Sequence, residues 1–140
     1  MESRSIDFDQ IQEGDSHKIE LVITKQMINN FSQISGDYHP LHNNYKYAKE
    51  SGFENILVHG QFISSLSSSI VGMFLPGKKS LLLQSKFKYL KPVFPDNKIS
   101  ITAIVNKKDK RFSTVNLSVK VYRGHKDLVS KGEFLVKVRD

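Results

Sequence analysis

Three observations predict an α+β fold in which a curved antiparallel sheet wraps one long hydrophobic helix. Residues 56–75 carry apolar side chains at helical spacing and no charged residue. Beyond Gly77 the hydrophobic period drops from about 3.6 to two and stays there through four successive segments. Ahead of the long helix stand one strand and a few short helical pieces, so helices and strands are segregated instead of alternating as in βαβ units. At 140 residues the chain suits a single domain spanning 1–140, large enough to bury a core without disulfides.

In chain order, Ile19, Leu21 and Ile23 alternate with polar neighbours, which predicts a first strand over 17–24. Thr24 then caps a helix to about Ile34, with Met27, Ile28, Phe31 and Ile34 on one apolar face. Gly36 and Pro40 punctuate a loop over 35–44, and a helical turn over 45–51 ends at Gly52. In the long segment, Phe62 or Ile63, Leu66, Ile70 and Met73 or Phe74 recur at helical spacing. The opposite face (Gln61, Ser64 or Ser65, Ser68, Gly72) is small and polar, and a helix this free of charge is buried on most sides. Leu75-Pro76-Gly77 stops it. Four strands follow: Leu81 to Tyr89, Ile99 to Val105, Val115 to Val121, and Leu128 to Val138. Read as consecutive strands with short turns, they predict an antiparallel meander. Sheet around central helix is the hot dog arrangement.

The composition excludes several classes. There is no cysteine, hence no disulfide, thiolate nucleophile or cysteine-ligated metal. The first ten residues lack the apolar core of a signal peptide, and no run reaches the roughly 18 apolar residues of a membrane span. The cytoplasm is the expected location. The net charge of +7 is unevenly placed. Residues 1–77 hold five Lys/Arg against nine Asp/Glu (−4), and residues 78–140 hold sixteen against five (+11). That imbalance fits either a solvated lysine-rich sheet face or a polyanionic partner, such as a nucleic acid, the phosphates of coenzyme A, or an acidic carrier protein. Nucleic acid is the least favoured, because few aromatics interleave the basic residues.

Two stretches carry residues with chemistry. Asp37 and His42 lie five apart on the loop and suit general acid–base handling of a water; they equally suit loop capping. His59-Gly60 opens the long helix, where a bare N–H and the helix dipole favour a developing negative charge; a plain helix-start glycine is the alternative. His59 reads as a packed, structural histidine. Ser68 stands two turns further on the same side and, taken alone, is a small packing residue. Three histidines between 39 and 59 match no strong zinc spacing, and no metal is expected.

The run from Phe31 to His42, including Ser35-Gly36-Asp37-Tyr38-His39-Pro40-Leu41-His42, together with Ala48, resembles the signature of the MaoC-like (R)-specific enoyl-CoA hydratases. Val58-His59-Gly60, Ser68, Leu75-Pro76-Gly77-Lys78 and Pro92-Val93-Phe94 follow in the family's order. The resemblance implies a hot dog fold, a homodimer, and hydration of an enoyl thioester. It implies Asp37 and His42 as the catalytic pair, Gly60 as the oxyanion N–H, and Ser68 as a support of the loop. One position departs: His39 stands where the family usually has Asn, which puts a larger, titratable ring in the substrate-binding loop.

The resulting expectation is reversible hydration of a trans-2-enoyl thioester to the (R)-3-hydroxyacyl thioester. No cofactor is expected beyond the coenzyme A or acyl carrier pantetheine of the substrate itself. Lys79, Lys86, Lys88 and Lys91 are candidates to meet its phosphates or an acyl carrier protein. A hot dog thioesterase and a non-catalytic acyl-CoA-binding module are the alternatives. No membrane or nucleic-acid partner is expected.

Overall fold

The computed structural model describes residues 1–140. The chain runs β1 (Ser16–Val22), α1 (Lys25–Ser35), α2 (Pro40–Asn43), α3 (Tyr45–Glu50), α4 (Gly60–Met73), β2 (Ser80–Tyr89), β3 (Lys98–Asp109), β4 (Thr114–Arg123) and β5 (Asp127–Val138). The strands form one antiparallel sheet in the order β1-β3-β4-β5-β2, and α4 packs on its inner face: the expected hot dog arrangement. No helix is long and apolar enough to cross a membrane.

The alternation in the sequence sets the core. Ile99, Ile101, Ala103 and Val105 of β3 face the same side as Val115, Leu117, Val119 and Val121 of β4, and all are buried. From α4, Ile63, Ile70 and Val71 meet them in one cluster of 23 buried apolar residues. Each such aliphatic side chain contributes about 1.5–3 kcal/mol by leaving water. Ser67, not one of the apolar positions, is the most enclosed serine of α4.

Two expectations need correction, the order of the late strands and the burial of Ile34. The four late strands are not a simple meander, because β2 pairs with β5 instead of β3. Residues 90–97 are a crossing that ends in one tight turn: Pro92 interrupts pairing, Val93 and Phe94 are buried, and the Asn97 N–H donates to the Phe94 carbonyl (3.2 Å) around Pro95-Asp96, so the chain crosses the sheet end before β3 begins. The central helix starts at Gly60, as the reading of His59-Gly60 as its opening had it, and residues 56–59 lead into it without helical structure. The Leu57 N–H donates to the Leu41 carbonyl (2.8 Å) and the Val58 N–H to the Val93 carbonyl (2.8 Å), pinning that segment to its neighbours. Finally, Ile34 is solvent-exposed, since α1 ends at Ser35 and Gly36 turns the chain away in a left-handed conformation (φ 75°).

The far end of α4 is tied down by the N-terminal segment. The Arg4 N–H donates to the Met73 carbonyl at 2.9 Å and the Lys78 N–H to the Arg4 carbonyl at 2.7 Å. Gly77 (φ 86°) passes so close to the Arg4 carbonyl that a side chain there would overlap it. The helix is thus held at both ends.

Candidate active site

The loop over 35–44 is built by its own polar side chains. Ser35 Oγ accepts from the Asp37 N–H (3.2 Å), and Asp37 Oδ1 accepts from the His39 N–H (3.1 Å). His39 is the N-cap of α2: its Nδ1 accepts from the Leu41 N–H at 3.2 Å, with Pro40 at the first helical position. The ring at position 39 therefore does the local capping work of a short polar side chain. Asn43 Nδ2 donates to the Tyr38 carbonyl (2.9 Å) and closes the loop.

The two carboxylate oxygens of Asp37 make different contacts. Oδ1 caps the turn, and Oδ2 lies 3.9 Å from His42 Nε2. That gap is beyond a direct hydrogen bond and one that a single water can span. His42 Nδ1 is 2.8 Å from the Leu57 carbonyl. A carbonyl only accepts, so Nδ1 carries the hydrogen and Nε2 presents a lone pair toward Asp37. The His39 N–H on its carboxylate, followed by the neighbouring imidazoles, holds Asp37 below the usual carboxylate range, while burial pushes His42 below the ordinary imidazole value. Near neutral pH the site offers a carboxylate and a neutral imidazole.

His59 is buried, as its sequence reading had it, and it works on the loop. Its Nε2 lies 3.1 Å from the Asp37 carbonyl and 3.2 Å from Ser32 Oγ, so Nε2 carries the hydrogen and donates to the carbonyl. Its ring stacks on His42 with centroids 3.8 Å apart, and Phe31 packs edge-on against it at 4.9 Å. His59 Nδ1 is buried without a partner. Asp37, His42 and His59 bring their ligand atoms within 4.8 Å of one another, a convergence that sequence spacing did not reveal. Of the ring nitrogens of the two histidines, Nδ1 of His42 and Nε2 of His59 are already engaged with backbone carbonyls.

Gly60 follows His59 as the first residue of α4, so its N–H has no acceptor one turn back. It lines an apolar cavity of about 290 Å³ together with Leu57, Val93, Tyr89 and Lys91. Asp37, His42 and the Gly60 N–H thus meet around the 57–60 segment. Ser68 does not join them by hydrogen bonding: it is exposed, and its hydroxyl donates to the Ser65 carbonyl of its own helix at 2.7 Å.

The four lysines are dispersed. Lys91 lines the cavity with Gly60 and is paired to Asp127 at 2.6 Å. Lys79 pairs with Asp7. Lys86 and Lys88 flank Phe87, which packs into the core, so they project from the opposite face of β2, where Lys120 and Lys131 share a groove with them. The contributions of Ser32 and Tyr89 were missed in the sequence: Ser32 stands within the Phe31–His42 run but carried no role there, Tyr89 lies in none of the motifs, and both reach the site across 27 residues or more, from Ser32 to His59 and from Gly60 to Tyr89.

Comparison with known proteins places this geometry. The chain superimposes on an (R)-hydratase of A. caviae involved in PHA biosynthesis with a TM-score of 0.88 and 26% identity, covering 91% of this chain and 97% of that one. An R-hydratase of Pseudomonas aeruginosa, in its unliganded form, shares the fold with a TM-score of 0.92 at 21% identity over 99% of this chain and 88% of that one. In sequence the chain is 32% identical over 112 residues to the (R)-specific enoyl-CoA hydratase of Aeromonas caviae, covering 77% of this chain and 81% of that protein. It is 30% identical over 118 residues to the mitochondrial 3-hydroxyacyl-[acyl-carrier-protein] dehydratase of Arabidopsis thaliana, covering 83% of this chain and 70% of that protein. The family model described as MaoC like domain matches residues 7–125. The chain belongs to the MaoC-like domain family, as its loop motif led one to expect.

Proposed function

We propose that the protein is a hydro-lyase that reversibly hydrates a trans-2-enoyl thioester, of coenzyme A or of an acyl carrier protein, to the (R)-3-hydroxyacyl thioester. The observation that carries this reading is the 3.9 Å gap between Asp37 Oδ2 and His42 Nε2, two acceptors facing each other beside a helix N-terminus. A water held there gives one hydrogen to each acceptor, which leaves an oxygen lone pair free to attack C3. One of the pair takes the proton released and returns it to C2, so that H and OH add across the double bond. During attack, charge develops on the thioester oxygen, and the Gly60 N–H together with the α4 dipole stabilises it. Removing one such donor in other enzymes costs roughly 2.7–4 kcal/mol. His39 holds the loop through its cap. Ser68 stays a candidate support only through a contact beyond the hydrogen bond to its own helix.

The test is loss of the conjugated-enoyl absorbance when crotonyl-CoA is added to purified protein, with no release of free thiol. Asp37→Asn is expected to lower kcat by about 10²–10⁴-fold with the folded state intact. Normal turnover by that variant would refute the assignment.

The same reading includes a homodimer. β2 is an edge strand, and Leu81, Leu82 and Leu83 on it are 51%, 40% and 52% exposed. An apolar edge of this kind is ordinarily covered by another chain. Light scattering at twice the chain mass is the expected result.

A further inference from the structure

β2 ends at Tyr89, whose ring lies across the start of α4. A Cβ built on Gly60 would stand 3.0 Å from both Cδ1 and Cε1 of Tyr89, so glycine is what allows the ring to rest there. The far end of the ring is tethered: Tyr89 Oη is 3.1 Å from Ser64 Oγ. Ser64 donates its own hydrogen to the Gln61 carbonyl at 3.0 Å, so Tyr89 supplies the hydrogen in the bond between them. A single neutral hydrogen bond is a modest tether. The side chain is otherwise open, with Tyr89 46% exposed. Immediately after it the strand ends, as the Leu90 and Lys91 N–H groups both turn to the Val129 carbonyl.

The surroundings say what passes the ring. Tyr89 and Gly60 line the apolar cavity of about 290 Å³, and this cavity shares Phe53 and Pro92 with an adjoining, more polar one of about 420 Å³ that contains Arg123. Lys91 and Arg123 both pair with Asp127, and Glu54 also lines the polar cavity, so this end carries two basic side chains balanced by two carboxylates. Apolar walls leading to a polar end that holds Asn97, Lys91 and Arg123 suit the thiol arm of a phosphopantetheine-type carrier, with its alkyl and amide parts. An acyl chain has no use for the polar half.

We propose that Tyr89 is a specificity-determining gate on the thiol-arm side of the site. Its ring covers the approach to the Gly60 N–H, and a thioester reaches that N–H only when the ring shifts off Gly60 and packs against the arm. The identity of the thioester rests on the hydratase reading; the gate rests on the contact between Tyr89 and Gly60.

Two measurements test it. The first compares crotonyl-CoA with crotonyl-N-acetylcysteamine, which lacks most of the arm. Tyr89→Ala is expected to raise KM for the CoA thioester by about three- to tenfold, with a much smaller change for the truncated one, and Tyr89→Phe to restore the wild-type ratio. An equal change for both substrates, or a shift in preference for acyl-chain length instead, would overturn the proposal. The second uses Tyr89→Trp. The chain has no tryptophan, so this variant carries one indole, at the gate. Its emission is expected to change when crotonyl-CoA, whose binding is measured separately by calorimetry, saturates the site. Turnover by the wild type without any emission change in the variant refutes the gate alone. An emission change without turnover refutes the hydratase reading alone.

Discussion

The loop over 35–44 and the edge strand β2 both border the site, and they are built in opposite ways. In the loop nearly every polar side chain is engaged: Asp37 on the His39 N–H, His39 on the Leu41 N–H, His42 on the Leu57 carbonyl, Asn43 on the Tyr38 carbonyl. Along β2, Leu81, Leu82 and Leu83 face solvent, and Tyr89 has one serine as its tether. The groups proposed to handle the proton are thus held by short-range bonds. The surface proposed to meet other molecules is left adaptable, which is how positioned catalysis and substrate entry divide the labour in many enzymes.

Several changes break or sharpen that contrast. The largest effect outside the proposed catalytic pair is expected from His59→Leu, which keeps the volume and removes the donor to the Asp37 carbonyl. A carbonyl losing its buried donor costs about 1–3 kcal/mol, and kcat should fall with it, because the loop that aims Asp37 loses its clamp. Thermal unfolding and initial rates measure the two parts. A variant as stable and as active as the wild type would mean the loop is held without His59.

On the strand side, Leu82→Glu is expected to break the proposed dimer, read as a shift to monomer in sedimentation, while the fold, followed by circular dichroism, is retained. An unaltered dimer would place the interface elsewhere. A smaller effect is expected with pH. Both pKa values are depressed, so Asp37 stays ionised and His42 stays neutral as the pH falls through the ordinary imidazole value of about 6.5. The acid limb of the kcat/KM profile should therefore lie below that value. A limb at or above it would mean that the free enzyme holds His42 as a charged group. The smallest change is expected from Ser68→Ala, within about 0.5 kcal/mol in stability, because its hydroxyl only bonds back to Ser65. A large loss of rate in that variant would show that Ser68 reaches the loop by another contact.

What could be read from the sequence follows the range of the interactions. Asp37, His42 and Gly60 were legible because the loop and the helix start are each written in a few consecutive residues with Gly and Pro as markers. The alternation in β2 identified a strand, and the same alternation implies that Lys86 and Lys88 face away from Phe87 and Tyr89. The neighbour of that strand was not legible: periodicity states which face is buried, and leaves open whether β3 or β5 lies alongside. The contact of Ser32 with His59, the bond from His59 to the Asp37 carbonyl and the contact of Tyr89 with Gly60 join distant segments, so no local pattern announces them.

The hydrogen on each of the two stacked imidazoles is assigned by a backbone oxygen, that of Leu57 for His42 and that of Asp37 for His59. Main-chain oxygens are the one class of partner that no codon change can delete. The protonation pattern of the site is therefore inherited from the path of the chain, and it survives drift in the surrounding side chains for as long as the 57–60 segment keeps its course.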